Sequence, residues 1–252
     1  MTLLKIVNLN KKFGNTVAVE NVNFVVNKGE FLSLVGSNGA GKTSLVNLIS
    51  AHLKPDSGQI LFDDHDISNL SVTQRIKAGI ARSFQLVNIF DGMSVFDNVA
   101  LSIFSREGKT TKLTRLADRD ENVRKETHEV LSQFGLDSKS DDLAGGLAQG
   151  ERKLLDVAVA YALRPKLLFL DEPTSGVSTR EKAQIMDTVS SVVRDGTVTA
   201  VVIEHDMDVV FRYSDRIVMM HEGKFLADGT PDQIRANKDV ANILLGVPLS
   251  AS

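Results

Sequence analysis

Residues 36–43, Gly36-Ser37-Asn38-Gly39-Ala40-Gly41-Lys42-Thr43, satisfy every fixed position of the pattern G-x-x-x-x-G-K-[ST]. Each residue type has a physical task there. Glycines at 36, 39 and 41 let the backbone turn tightly with its N–H groups facing inward, so a polyphosphate can lie at the positive end of a following helix. Lys42 can reach the β- and γ-phosphates, and the Thr43 hydroxyl can join the shell of a Mg²⁺ ion. A glycine-rich turn can match by chance, but the flanks here agree. Glu30–Val35 reads as a short buried strand, and Thr43–Ala51 carries apolar residues at helical spacing. Strand, glycine loop and helix in that order predict a site for a nucleoside triphosphate such as ATP, contacted by Ser37, Asn38, Gly39, Ala40, Gly41, Lys42, Thr43 and Ser44.

A phosphate loop needs a second, acidic strand to hold Mg²⁺. Leu167-Leu168-Phe169-Leu170-Asp171 supplies one, with apolar residues that aim a carboxylate from the strand's end. Glu172 follows, pointing the other way along the pleat, and can orient or deprotonate the water that attacks the γ-phosphate. An isolated Asp-Glu pair before Pro173 would read as an acidic turn; behind a phosphate loop in the same chain it reads as metal ligand and base.

The remaining elements must position these groups. Leu4–Leu9, Val22–Val26 and Gln59–Phe62 read as short strands around the nucleotide strand, with turns at Phe13-Gly14-Asn15 and Asn27-Lys28-Gly29. A helical piece over Thr73–Ala78 ends at Gly79, and Ile80–Gln85 is another short strand. Helices are then predicted over Val95–Phe104, capped by Ser94 with Asp97, over Val123–Phe134, closed by Gly135, and from Gly150 to Leu163 before Pro165. Between the first two, residues 105–122 mix Arg106, Lys109, Lys112, Arg115 and Arg119 with acids and read as a solvated charge run. After Pro165, a helix over Thr179–Arg194 with Ser178 and Glu181 as its cap, a strand over Thr197–Ile203, a hairpin turning at Glu222-Gly223 and a helix opened by Thr230-Pro231 restore the alternation. This order predicts an α/β fold with a parallel core, a small N-terminal antiparallel β subdomain and a helical insert.

Composition sets outer limits. The 252 residues are 42% hydrophobic and 24% charged, enough to bury the core of one domain with a subdomain. A net charge of −3 argues against general nucleic-acid binding, which calls for a basic face. The absence of cysteine excludes disulfides, Cys-ligated zinc and thiol catalysis. With no signal-like N-terminus and no apolar run long enough to span a bilayer, a cytoplasmic protein is expected, meeting a membrane only through partners.

Taken together the motifs resemble the nucleotide-binding subunit of an ATP-binding-cassette (ABC) transporter, over nearly the whole chain from Leu4 to Gly246. Leu147-Ala148-Gln149-Gly150-Glu151 resembles the family's signature loop just before the acidic strand. Gln85 stands in the Q-loop position, His205 in Ile203-Glu204-His205-Asp206 at the switch-histidine position, and Phe13 where the family stacks an aromatic on adenine. The resemblance implies a P-loop NTPase (RecA-like) core formed by residues 1–87 and 164–252. It also implies a helical subdomain, 88–163, that carries the signature loop, all within one ABC ATPase domain. It further implies head-to-tail dimers in which ATP on Gly41 and Lys42 of one subunit meets Ala148, Gln149 and Gly150 of the other. Glu172 would be the base, His205 would hold the γ-phosphate and the attacking water, and Gln85, Thr43 and Asp171 would hold Mg²⁺.

Alternatives stay open at several of these positions. Phe13 can also be a core aromatic, Gln85 a strand cap and His205 a turn residue, and Leu86–Phe90 fits either a groove for a membrane subunit or buried core. Leu143-Ala144-Gly145-Gly146-Leu147 offers a second register for the signature, although helix spacing favours Leu147–Glu151. Where the family usually has serine and an acid or amide, this chain has Ala148 and Ser178. The first removes a hydroxyl donor to the partner's ATP and predicts weakened closure; the second leaves cross-dimer signalling through that loop open.

Stretches such as Gly79–Gln85, Ile203–Met207, Gly229-Thr230-Pro231 and Leu244-Leu245-Gly246 resemble the ATPases of branched-chain amino acid importers. That implies transmembrane transporter subunits, a second ATP-binding subunit and, indirectly, a periplasmic or extracellular binding protein as partners, on the inner face of the membrane. Urea-import and lipid-export ATPases are similar, and soluble ABC ATPases of translation or DNA repair form a further class. Those tend to carry two cassettes or a coiled-coil arm, which this chain lacks.

Overall fold

The computed structural model describes residues 1–83, 89–108, 120–196 and 198–240. The chain forms two compact units, Met1–Arg75 with Thr199–Ser252, and Ile76–Val198. In the first unit, β1 (Thr2–Phe13) and β2 (Thr16–Asn27) make a long antiparallel hairpin, and β4 (Ser57–Phe62) and β5 (His65–Asp66) extend the sheet in the order β2-β1-β4-β5. Both hairpin strands run past the limits expected from the sequence. Asparagines are absorbed into bulges: Asn8 and Asn21 take φ of 49° and 47°, and their N–H groups donate to Asn23 Oδ1 and Asn10 Oδ1 at 3.0 and 2.8 Å. Side-chain amides thus replace the ladder bonds that the bulges forfeit.

The parallel core of this unit is β3 (Phe31–Val35), buried along its length, between β8 (Thr199–Ile203) and β9 (Arg216–His221), with β10 (Lys224–Gly229) antiparallel outside β9. Residues buried on both faces explain the unbroken apolar runs. The hairpin turn at Glu222-Gly223 takes φ of 47° and 79°, the double left-handed geometry of a type I′ turn. One helix escaped the sequence reading: Met207–Tyr213, capped by Asp206 and burying Val209, Val210 and Tyr213. It is short, and the sequence reading assigned no element between Asp206 and the hairpin that begins at Arg216.

Helix α1 (Lys42–Ile49) follows β3, and α2 (Val72–Ala78) carries Arg75. Arg75, 2% exposed, donates to the carbonyls of Leu48, Ile49 and Ser68. It satisfies the end of α1 opposite its phosphate-facing start, where a cation also suits the helix dipole. Burial pushes this guanidinium down to about 10.

In the second unit β6 (Ile80–Arg82) pairs in parallel with β7 (Leu167–Asp171). Around them stand α3 (Val95–Arg106), α4 (Glu121–Gln133), α5 (Gln149–Tyr161) and α6 (Thr179–Arg194). Ser94 caps α3 and accepts from Asp97 N, and Ser178 and Glu181 cap each other at α6, both as expected. Helix α5 stops where Arg164 turns left-handed, φ 52°, ahead of Pro165. In the remainder of the first unit, α7 (Met207–Tyr213) and α8 (Pro231–Ala236, capped by Thr230) follow β8 and β10.

The solvated charge run needs a correction at Arg106; its stretch 109–119 lies outside the described residues. Arg106 clamps Glu126 with both guanidinium arms at 2.7 Å and donates to the Ala162 carbonyl, while Arg164 donates to Glu126 Oε1 at 2.8 Å. These bonds, Arg106 first, hold the Glu126 carboxyl below the usual carboxylate range. A carboxylate depressed on folding stabilises fully above its unfolded value and loses that contribution as pH falls through its folded one. Glu126→Gln should therefore lower the unfolding free energy by about 1.5–3 kcal/mol at neutral pH. In urea unfolding the deficit should shrink below about pH 4, where the wild-type carboxylate also begins to protonate.

Candidate functional site

The phosphate loop of the first unit leaves the C-terminal end of β3 and enters α1. Its shape is forced by close backbone approach. A Cβ at Gly36 (φ 148°) would lie 2.2 Å from the Met220 carbonyl oxygen, and one at Gly41 (φ 103°) 2.2 Å from that of Ala18. No other residue fits either place. The Gly223 N–H donates to the Ala40 carbonyl at 2.9 Å, and the Glu20 N–H to that of Gly223, which ties the loop to the β9–β10 turn and to β2. Lys42, 6% exposed, folds its ammonium into the loop and donates to the carbonyls of Gly36 and Ser37 at 2.7 and 3.0 Å. Ser37, Asn38, Gly39 and Thr43 are exposed around it, Ser44 is half-buried, and the first turn of α1 holds no acid. A buried cation, open main chain and an unneutralised helix start make an anion cradle.

Register places His205 at the same sheet edge. Leu34 of β3 lies beside Ile203 of β8, so the loop at Gly36 and the segment Glu204-His205 leave neighbouring strands at one end, where open parallel sheets bind ligands. Glu204 is buried, and its carboxylate accepts from the His205 N–H at 3.1 Å; Asp206 begins α7 by accepting from the N–H groups of Asp208 and Val209. His205 is thereby presented outward on a braced turn. Phe13, 48% exposed at the hairpin end, is no core aromatic. Lys11 sits 5.6 Å from its ring centroid and pairs with Asp56 at 2.7 Å.

The second unit holds Asp171, Glu172 and the loop 147–151. Asp171 ends β7, and Arg82 on the adjoining β6 donates to its Oδ2 at 2.6 Å, with side chains 6% and 8% exposed. The sequence reading missed Arg82 as part of the site; the available signal was a basic residue ending an apolar strand that must pair with an acidic one. Glu172 is not on the pleat as expected. The chain leaves the strand at Glu172 in the left-handed region, φ 49°. Lys153 from α5 donates to the Glu172 carbonyl at 3.2 Å and to Ser175 Oγ at 3.0 Å.

Leu147 is buried, and Ala148 occupies the N-cap position of α5, where Glu151 accepts from its N–H at 3.0 Å. Ala144–Gly146 forms a separate 3₁₀ turn. The helix thus begins where the Leu147–Glu151 register requires. Gln85, and residues 86–88 of the apolar segment, lie outside the described residues, as do Thr197, 109–119 and the tail from 241.

No group of three or more His, Cys, Asp or Glu among the described residues could cage a metal alone. In the first unit the Thr43 hydroxyl, and in the second the Asp171 carboxylate, is each by itself a hard oxygen donor of the kind Mg²⁺ takes.

Two stability outcomes follow from this geometry. Arg82→Met should cost about 3–5 kcal/mol in urea unfolding, because it leaves a buried carboxylate unpaired. Glu172→Gly should be more stable than Glu172→Ala by about 1 kcal/mol, since glycine adopts the left-handed turn without steric cost.

Comparison with known proteins agrees with these features. The chain is 35% identical over 252 residues to the high-affinity branched-chain amino acid transport ATP-binding protein LivG of Escherichia coli (strain K12), covering 97% of this chain and 98% of that one. The crystal structure of the ADP conformation of an ATP-binding cassette of an ABC transporter superimposes with a TM-score of 0.85 at 30% identity, over 98% of this chain and 99% of that one. A dimeric post-hydrolysis cassette bound to ADP and Pi gives a TM-score of 0.77 at 25% identity, over 91% and 99%. The profile of the ABC transporter family matches residues 19–175, and with the phosphate loop, acidic strand and signature helix in place, the chain belongs to that family.

Proposed function

We infer that this chain binds and hydrolyses ATP to power a membrane transporter, and that the transporter imports branched-chain or related amino acids. The observation that carries the ATPase reading is the cradle at the end of β3, with Lys42 buried among loop carbonyls beneath exposed main chain. The transported class rests on the likeness to LivG over both full lengths.

Lys42 exchanges its loop carbonyls for phosphate oxygens, a charge-assisted replacement. Gly39 and Gly41 keep the neighbouring N–H groups free to follow, and Phe13 stacks on the adenine. Thr43, Asp171 and Gln85 would hold Mg²⁺, which would supply positive charge to neutralise the phosphates. Glu172 takes the proton of the attacking water, whose oxygen bonds to the γ-phosphorus as the ADP oxygen departs. His205 holds the γ-phosphate and that water. Ala148, Gln149 and Gly150 of a second cassette complete the site through the start of α5, so the working unit is a dimer. We assign 88–163 as the helical subdomain that carries this surface, and the remaining residues as the core. No helix among the described residues is long and apolar enough to cross a membrane; association with the inner face runs through transmembrane subunits, with a soluble binding protein acting beyond them.

Lys42→Ala should weaken nucleotide binding by about tenfold or more, about 1.4 kcal/mol per tenfold; an unchanged nucleotide titration sinks that assignment. Glu172→Gln should lower hydrolysis by about a hundredfold or more and trap an ATP-bound dimer, visible as early elution in size-exclusion chromatography. Purification with native membrane partners tests the transport reading. Two membrane subunits and a binding protein that takes up branched-chain amino acids are expected, whereas lipid-export components or ribosomes would overturn it.

A further inference from the structure

The geometry points to Lys153 as the positioning residue for Glu172: from the first turns of α5 it holds the left-handed turn that carries the base, so seating of the signature helix and setting of the base are one event. This deepens the ATPase reading and rests on it, since it takes Glu172 as the base.

Lys153 is 4% exposed. A buried ammonium is tolerated only with hydrogen-bond acceptors around it. The acceptors it has chosen are informative: the Glu172 carbonyl at 3.2 Å and Ser175 Oγ at 3.0 Å. Both lie in the turn that begins with Glu172 at φ 49°, a conformation that a glutamate adopts only when its surroundings impose it. An N–H⁺ donor on the carbonyl of that residue fixes the orientation of its peptide plane, and hence the direction in which the Glu172 side chain leaves the backbone.

The same helix touches this turn at other points. A Cβ at Gly176 (φ 76°) would lie 2.5 Å from Gln149 Nε2, and one at Gly150 would lie 3.3 Å from Glu181 Oε1. Glu181 in turn accepts from the N–H and hydroxyl of Ser178. Residues 149–153 and 172–181 therefore form a continuous packed body inside the second unit. Between Glu172 and Glu181 the loop has no acidic side chain of its own. A charged contact of this loop with the signature helix is the Lys153 ammonium on the Glu172 carbonyl and Ser175 Oγ.

This link has a mechanical consequence. Gly150 and Gln149 face the partner's nucleotide in the proposed dimer, and Lys153 lies within a turn of them. A shift of α5 on closure is transmitted to the Glu172 peptide, so each subunit's base responds to engagement at the opposite nucleotide.

Steady-state hydrolysis by the full chain with Lys153→Met, Ser175→Ala and Glu172→Gln tests this. Lys153→Met should lower kcat by about thirtyfold while KM for ATP stays within about twofold, because the lysine touches no phosphate. Ser175→Ala should lower kcat by about threefold in the same manner. Lys153→Met combined with Glu172→Gln should still elute as a dimer with ATP. Wild-type kcat in Lys153→Met alongside inactive Glu172→Gln overturns the assignment, as does a fall in kcat accompanied by a raised KM or loss of the dimer. Should Lys153→Met fail to fold, Ser175→Ala decides, and an unchanged kcat there also overturns it. Hydrolysis that survives in Glu172→Gln instead overturns the base assignment beneath it.

Discussion

At two points of the phosphate loop, Gly36 and Gly41, neighbouring backbone leaves no room for a side chain. The Met220 and Ala18 carbonyl oxygens lie 2.2 Å from where Cβ atoms would stand at Gly36 and Gly41, and the Ala40 carbonyl accepts from Gly223. Three parts of the first unit, β2, the β9–β10 turn and the loop, are locked together by main-chain atoms. Such atoms have no rotamers, so the N–H groups of the loop keep one orientation. That is the preorganisation an anion site requires, because dipoles already aligned need not be reoriented when charge arrives. Lys42 occupies the concavity this creates, and Arg75 fixes the far end of the same helix by capping its last carbonyls.

Buried cations hold the ends of three elements. Arg75 holds the close of α1, Arg82 the carboxylate that ends β7, and Lys153 the turn after it. Each is less than a tenth exposed as a side chain or residue. An apolar residue at any of these places would leave carbonyls or a carboxylate unsatisfied in a medium of low dielectric, which is the costly outcome. Burying a charge is tolerable here because each meets oxygen acceptors: three carbonyls for Arg75, the Asp171 carboxylate for Arg82, and the Glu172 carbonyl with Ser175 Oγ for Lys153. Through these cations the sheet ends that carry the chemistry are stiffened without adding bulk at their open edge.

Which parts of this were legible in the sequence follows from the range of the forces involved. The glycine loop, the acidic strand, the Ser178–Glu181 cap and the Glu222-Gly223 turn are written in residues close together in the chain, so local pattern sufficed. Strand lengths in the hairpin were underestimated because Asn8, Asn10, Asn21 and Asn23 become bulge partners only when two strands lie side by side, which local pattern does not show. Arg82 with Asp171 and Lys153 with Glu172 span long stretches of chain. A charged residue in an apolar run gives no hint of its distant partner. The left-handed turn at Glu172 was misread for the same reason, since the lysine that sustains it sits on another helix.

Ala148 gains a different meaning from its surroundings. As a missing hydroxyl it counts as a lost donor to the partner's phosphate. Yet a serine at an N-cap also accepts from the amides of the first turn and so competes for them. Here Ala148 takes the N-cap conformation with no side chain to accept, and Glu151 holds its N–H from the opposite direction. Glu151 therefore braces the N–H of the cap residue, while Ala148 offers no side-chain acceptor to the amides behind it. One hydroxyl donor is exchanged for main-chain donors left undiverted at a positive helix end, and these are the groups that a γ-phosphate seeks. Neutral donors of this kind contribute about 1 kcal/mol each, so in the proposed dimer the missing hydroxyl weakens closure while the main-chain donors keep it possible.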